Sequence, residues 1–177
     1  TIVIGDMMDV DGFAHEMADC DVLFHTAAHF REYYHGGDHW DKLERINVKG
    51  TINILRAAEQ VGVKRVIYTS SSAVLKNARG GPVANENTAY NSDTDNLYMK
   101  SKVLAEQAVY EFLETSDLPV LIALPGWMIG PWDAGPTAAG QLVINFVTGK
   151  IPVIPHGYMM VVDVRDVAEA MITMEGH

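Results

Sequence analysis

Cysteine is almost absent: Cys20 is the only one among the 177 residues, so no internal disulfide can form. A lone cysteine in an apolar setting is more often packed than reactive, and a chain of this kind suits a reducing, cytoplasmic setting. Basic charge is scarce as well. Lys and Arg number 13 against 23 Asp and Glu, for a formal net charge of −10, and no lysine-rich or arginine-rich run occurs. A surface of that sign repels a phosphate backbone or an anionic bilayer, which excludes nucleic acid and membrane surfaces as expected partners. Long hydrophobic runs are missing too. The longest, residues 119–132, is broken by Pro125, Gly126, Gly130 and Pro131 and is too short to cross a bilayer. Low-complexity linkers and internal repeats are absent. The chain opens at Thr1 without a methionine and passes at once into Ile2-Val3-Ile4. We expect further chain before it, in which case the lack of a leader says nothing about localisation.

What is present is a chain 48% hydrophobic, enough for one compact α/β domain with a full core over residues 1–177. Short apolar runs alternate with longer segments of helical period, the pattern of βαβ units in a doubly wound parallel sheet flanked by helices. Strands are expected at residues 2–4, 21–25, 65–69 and 120–124, each rich in Val, Ile or Leu with little alternation, and a weaker one at 159–162. Helices are expected at residues 11–18, 39–61, 97–114, 137–148 and 164–174. Asp38 is placed to cap the second of these and Gly62 to end it. In the third, Leu104, Ala105, Ala108, Val109 and Phe112 form the core stripe. Residues 70–96 make one long loop dense in Gly, Asn, Asp and Ser, of the kind that carries function on a rigid scaffold or simply covers a surface.

Tyr98 and Lys102 lie four apart on a predicted helix, so both side chains project from one face and can reach one substrate atom. A lysine ammonium near a phenol favours the phenolate and makes the tyrosine a better proton donor and acceptor near neutral pH. None of Tyr33, Tyr34, Tyr68, Tyr90, Tyr110 and Tyr158 has a lysine four residues on. Taken alone, such a pair reads as an ordinary surface pair. Its setting changes that. The apolar run Arg65-Val66-Ile67-Tyr68 ends in the hydroxyls of Thr69, Ser70, Ser71 and Ser72, and ligands of parallel sheets bind beyond the carboxyl ends of the strands. A serine there can hydrogen-bond a substrate carbonyl, while at least one of the three bonds the local backbone in a turn.

With these segments in hand, the chain resembles the extended short-chain dehydrogenases/reductases, the NAD-dependent epimerase/dehydratase family. Gly5-Asp6-Met7-Met8-Asp9 is similar to the family segment whose Asp meets the adenine amino group. His25-Thr26-Ala27-Ala28 resembles the strand end that passes under the cofactor, and Asn47-Val48-Lys49-Gly50-Thr51 the helix segment whose Asn props up the active site. Thr69-Ser70-Ser71, Tyr98-Met99-Lys100-Ser101-Lys102 and Leu124-Pro125-Gly126-Trp127-Met128-Ile129-Gly130-Pro131 follow in the family's order, and residues 162–168 are similar to a segment near the start of the substrate-binding part. Residues 29–40 together with 127–133 look most like the dihydroflavonol-reductase and aldehyde-reductase branch.

The resemblance implies a Rossmann-like fold, with residues 136–177 leading into the substrate-binding part. It implies a hydride-transferring enzyme that uses NAD or NADP on a carbonyl or alcohol of a small molecule, an aldehyde, a ketone or a flavonoid-like compound. Ser71, with Ser72 as the fallback, Tyr98, Lys102 and Asn47 would form the catalytic set. Asp6, Met7, Thr26, Ala27, Ala28, Thr69, Ser70, Tyr98, Lys102, Pro125, Gly126 and Met128 would contact the cofactor, and Phe30, Tyr34, Ser72 and Trp127 the substrate. The glycine-rich turn that seats the family's pyrophosphate is not in the chain and should precede Thr1, and the residue that separates NAD from NADP is not legible. The chain also stops at His177, where the family continues. Two alternatives stand beside this reading: a nucleotide-sugar epimerase or dehydratase with tightly held NAD, and a non-catalytic dinucleotide-binding sensor or scaffold.

Aromatic residues around the connection after the second strand, Phe30, Tyr33, Tyr34 and Trp40, could line an apolar pocket or pin the loop; Trp127 and Trp132 are read the same way. His25, His29, His35 and His39 have spacings that would suit a metal only if helical. The first pair straddles a strand end and the second a Gly-Gly turn, so no metal site is expected. Family members often pair through two long helices, here residues 38–61 and 97–114, so a homodimer is possible on that pattern.

Overall fold

The computed structural model describes residues 1–30, 39–76, 83–152 and 160–176. Residues 1–124 and 125–177 form two compact units.

The first unit is built on a parallel sheet in the order β1 (Val22–His25), β2 (Arg65–Thr69), β3 (Val120–Ala123). Val22 pairs with Arg65 and His25 with Tyr68; on the other side Val66 pairs with Val120 and Thr69 with Ala123. The central place of β2 explains its burial. Val66, Ile67 and Tyr68 are fully enclosed, whereas Phe24 on β1 is exposed. A continuous apolar run without alternation is what a strand covered on both faces requires.

Between β1 and β2 runs a helix in three pieces: α1 (Trp40–Leu43), a π-helical segment (Glu44–Gly50) and α2 (Thr51–Gln60). The expected single helix over 39–61 is therefore interrupted, for a reason that belongs to the site below. Asp38, read as its cap, lies outside the described residues. Gly62 does end it: with φ of 85° it adopts the left-handed conformation, and the Val63 amide donates back to the Ala58 carbonyl at 2.9 Å. Helix α3 (Leu97–Leu113) follows β2 and packs against the π-helical segment and α2. The core gathers Ile54, Leu55 and Ala58 of α2, Val66 and Tyr68 of β2 and Val109 of α3.

Three expectations for this unit need correction. Residues 2–4 form no strand. Ile2 and Ile4 stand almost fully in solvent, because no strand among the described residues pairs with them, and an apolar run without a neighbour has no ladder to join. Residues 11–18 form two 3-10 turns, Val10–Gly12 and Ala14–Met17, instead of one α-helix. Cys20 is exposed rather than packed.

The second unit contains a parallel pair, β4 (Trp127–Ile129) with β5 (Val161–Asp163), and helices α4 (Ala138–Val147) and α5 (Val164–Met174). Both helices start on side-chain caps. Thr137 Oγ1 accepts from the Gly140 amide at 3.3 Å, and Asp163 Oδ1 accepts from the Arg165 amide at 2.8 Å. Strand β4 was not expected, and β5 begins later than the weak strand foreseen at 159–162, whose residue 159 lies outside the described residues. No helix among the described residues is long and apolar enough to cross a membrane.

Candidate active site

Helix α3 starts where it does because Asn96 Oδ1 accepts from the Met99 amide at 3.0 Å. That cap puts Tyr98 in the first turn and Lys102 in the second, on one face beside the carboxyl end of β2. Lys102 is 3% exposed, and its Nζ donates to the Thr69 carbonyl at 3.0 Å while lying 5.3 Å from the centre of the Tyr68 ring. Burial pushes its pKa down to about 8, against which the nearby Glu106 carboxylate acts in part. Tyr98 is half-buried, and its ring meets Phe30 edge-on at 4.8 Å, so an aromatic placed by sequence near the site does touch it.

After β2 the hydroxyls divide their tasks. Ser71 Oγ accepts from the Ala73 amide at 3.2 Å and caps the short turn Ser72–Val74, which packs on α3. This is the local bond expected of one serine in the run; it uses a lone pair of Ser71 and leaves its proton to donate. Ser70 is buried, and its Oγ donates to Glu106 Oε2 at 2.5 Å; Tyr90 OH donates to Glu106 Oε1 at 3.1 Å. Ser72 is half-buried within the same turn.

Asn47 sits inside the π-helical segment, 1% exposed, and its bonds account for the segment's irregularity. Its Oδ1 accepts from the His29 amide at 2.7 Å, while Nδ2 donates to the His29 carbonyl at 3.1 Å and to Ser101 Oγ at 3.0 Å. Thr51 Oγ1 donates to the Asn47 carbonyl at 2.8 Å, holding an acceptor of the wider turn. Short π-helical stretches mark functional positions more often than chance, because they rotate one side chain out of helical phase. Here the rotated side chain joins the segment after β1 to α3, one residue from Lys102.

His25, at the end of β1, stacks on Tyr68 with ring centres 5.5 Å apart and pairs through Nε2 with Thr51 Oγ1 at 3.1 Å. Burial, reinforced by the charge of Lys102, lowers its pKa from 6.5 to about 4. The folded protein therefore binds fewer protons here than the unfolded chain between those values, so stability falls as pH drops from 6.5 toward 4. The expected loss from this residue is about 3 kcal/mol, an order of magnitude set by the size of the shift. Urea unfolding at pH 7 and pH 4 measures it, and in His25→Gln the difference between the two pH values should shrink by a similar amount. Tyr68 is pushed the other way, well above its ordinary value, chiefly by burial and then by Glu106.

Beyond the end of β1 an open cleft of about 610 Å³ is lined by Ile4, Gly5, Asp6, Met7, Ala27, Ala28, His29 and Ile46. It collects four of the residues expected at a cofactor. Asp6 is exposed and its Oδ1 accepts from the Met8 amide at 2.9 Å; Thr26, Ala27 and Ala28 stand exposed at the strand end. Trp127 and Met128 lie in β4 of the second unit, where the Trp127 amide donates to the Met160 carbonyl at 2.7 Å. Pro125 and Gly126 precede that strand, and Gly126 is held so close to the Met160 carbonyl that a side chain would not fit. Tyr33, Tyr34 and His35 lie outside the described residues. Trp40 lies under the Lys100 ammonium at 5.0 Å, and Trp132 is exposed. Among the described residues no group of three His, Cys, Asp or Glu side chains is arranged to hold a metal ion.

Glu106 is the residue that sequence reasoning missed. It lies outside the stripe read as apolar core, yet it stands four residues after Lys102, as Lys102 stands four after Tyr98. That spacing was the available signal.

A parallel sheet whose central strand ends in hydroxyls, with a tyrosine and a buried lysine beside that end, defines a Rossmann-like α/β fold with its site at the carboxyl edge. The chain belongs to the extended short-chain dehydrogenase/reductase family: a model of the 3-beta hydroxysteroid dehydrogenase/isomerase family matches residues 1–115. It is 36% identical over 173 residues to a Synechocystis protein named "Putative dihydroflavonol 4-reductase", covering 94% of this chain and 47% of that one. It is 29% identical to cinnamoyl-CoA reductase 1 of Petunia hybrida, covering 98% and 53%. Among solved structures, vestitone reductase from alfalfa superposes with a TM-score of 0.75 at 28% identity, over 98% of this chain and 56% of that one. The chain thus spans about half the length of the curated relatives it matches.

Proposed function

We propose that the complete protein is an NAD(P)-dependent oxidoreductase that transfers hydride between the nicotinamide and a carbonyl or alcohol carbon of a small molecule, an aldehyde, a ketone or a flavonoid-like compound. The observation that carries this reading is Lys102, a buried ammonium fixed to the last carbonyl of β2 one helical turn from Tyr98. An ordinary surface lysine does not give up hydration for one backbone bond. The reductase relatives support the same chemistry.

The cleft beyond β1 fits a dinucleotide. Among its lining, Ala27 and Ala28 carry only methyl groups, which lets a flat ligand approach the backbone, and Asp6 and Met7 line it as well. These residues, with Thr26, Thr69 and Ser70 of the same unit, would hold NAD or NADP, which supplies or accepts the hydride. Tyr98 gives its phenolic proton to the carbonyl oxygen during reduction and takes it back during oxidation. Ser71 donates its hydroxyl proton in a hydrogen bond to the same oxygen, with Ser72 next in line. Lys102 stabilises the phenolate that Tyr98 leaves behind and holds the nicotinamide ribose. Asn47 keeps the helix carrying them in register with the segment after β1. Phe30, in contact with Tyr98, lines the substrate mouth.

We further infer that residues 136–177 lead into the substrate-binding part, that the setting is cytoplasmic, and that two copies pair through α2 and α3. The groove between those helices is lined by Ile52, Arg56, Ala108 and Phe112, and Tyr110 is exposed on α3. A screen of NAD(P)H oxidation by the complete gene product against aldehydes, ketones and flavonoid-like carbonyls tests the function. Carbonyl-dependent oxidation is expected. Conversion of a nucleotide sugar with retained, copurified NAD, or cofactor binding with no turnover of any carbonyl, would overturn it.

A further inference from the structure

Two groups at the site are not explained by the roles above: the buried carboxylate of Glu106 and the hydroxyl of Tyr90. Glu106 is 3% exposed, and burying a carboxylate is costly unless its oxygens are hydrogen-bonded and its charge is balanced. Both conditions are met. Ser70 Oγ donates to one oxygen and Tyr90 OH to the other, from opposite ends of the long loop after β2. The two ends of this loop are joined to one another as well: Leu75 and Tyr90 form an antiparallel bridge, the Lys76 amide donates to the Ala89 carbonyl at 2.8 Å, and the Asn91 amide to the Val74 carbonyl at 2.7 Å. Ser71 lies between Ser70 and this clip. Lys102, one turn earlier on α3, is the cation whose charge acts on this carboxylate, at longer range than a contact ion pair.

We propose that Glu106 is a positioning residue: its carboxylate fastens both ends of the loop that carries Ser71 to α3, and it supplies the counter-charge of Lys102. Ser71 lies beyond the end of β2, outside the ladder that fixes that strand, so without an anchor its hydroxyl would not be held within the fraction of an ångström that a catalytic hydrogen bond requires. The groups facing Lys102 are Tyr98 and Glu106 on α3, His25 on β1 and Tyr68 on β2, while the π-helical segment presents the uncharged Asn47 to the same helix. Neither His25, which burial keeps neutral at pH 7, nor the protonated Tyr68 offsets the lysine charge. Among the described residues that leaves Glu106 as the anion whose charge favours the ammonium form of Lys102, and burial of Tyr90, followed by the same carboxylate, keeps that phenol protonated as a donor.

The proposal rests on the assignment of Ser71 and Lys102 above, but its test does not depend on turnover. In the complete protein, lysines are reductively methylated with carbon-13 and the Lys102 resonance, identified by its loss in Lys102→Arg, is followed against pH. In Glu106→Gln the Lys102 midpoint should move down by roughly one pH unit, since an opposite charge at this range is removed. In Glu106→Asp, which keeps the charge, it should stay near the wild-type value. Where turnover is measurable, Glu106→Gln should lower kcat by roughly tenfold with KM little changed, and the alkaline limb of kcat/KM should follow the Lys102 midpoint downward. An unmoved Lys102 midpoint in Glu106→Gln overturns the proposal, whatever the outcome for Tyr98. Should the Glu106 variants not fold, Tyr90→Phe decides: altered Ser71 and Ala73 amide resonances support the anchor, and wild-type resonances overturn it.

Discussion

Replacing Tyr98 by Phe in the complete protein is expected to lower turnover by a factor of roughly 10³ or more, the range of a lost general acid and base. Affinity for NAD(P)H should change little. The substitution removes one oxygen from a ring whose packing stays intact: Phe30 still meets the ring edge, the Asn96 cap still starts the helix, and Lys102 keeps its bond to the Thr69 carbonyl. The loss therefore belongs to kcat and not to folding, which circular dichroism and the unfolding midpoint would verify. Retained turnover would remove Tyr98 from the chemistry and with it the assignment of Lys102 as its partner. Cofactor affinity lost in parallel would mean that the phenol serves binding instead.

Asn47→Ala should be the most damaging substitution outside the reacting groups. It deletes three hydrogen bonds in a site 1% exposed, two of them to the backbone of His29 and one to Ser101. Each bond contributes about 1 kcal/mol, and a buried amide deprived of its acceptor costs more, so the expected destabilisation is about 3 kcal/mol. The consequence extends beyond stability. The π-helical segment exists to deliver this side chain, and without it the helix gains nothing from its wider turn. The segment should relax toward α geometry, turning its neighbours out of phase and releasing α3 from the strand end after β1. Urea unfolding measures the stability loss, and an accompanying fall in kcat measures the displacement of Tyr98 and Lys102. Asn47→Asp separates acceptor from donor, since the carboxylate still accepts from the His29 amide but cannot donate to the His29 carbonyl or to Ser101.

Much of this was legible before any coordinates. Strand β2 and helix α5 occupy the spans expected, because a fully buried central strand is a plain apolar run and because Asp163 caps α5 from the adjoining position. The hydroxyls after β2 and the Tyr98–Lys102 spacing pointed to groups that do lie together at the carboxyl end of that strand. What escaped notice depends on partners distant in sequence. Residues 2–4 have strand composition, but composition does not supply a neighbouring strand. The π-helical segment arises from bonds between Asn47 and a residue 18 positions away, which helical periodicity does not register. Strand β4, three residues between Gly126 and Gly130, is shorter than any pattern of alternation. Glu106 has the composition of a solvated face, and the hydroxyls of Ser70 and Tyr90, 36 and 16 residues away, help make its burial tolerable.

The proposal that hydride passes between a nicotinamide and a carbonyl carbon is tested most directly by isotope tracing. The complete protein would be incubated with NAD(P)H carrying deuterium at C4, labelled on each face in turn, and with the best carbonyl from the screen, and the product alcohol examined by mass spectrometry and proton NMR. The expected result is one deuterium on the carbinol carbon from one face of the cofactor only, lost from the Tyr98→Phe reaction together with turnover. An alcohol formed without deuterium from either face, or cofactor left unoxidised while substrate is converted, would contradict it.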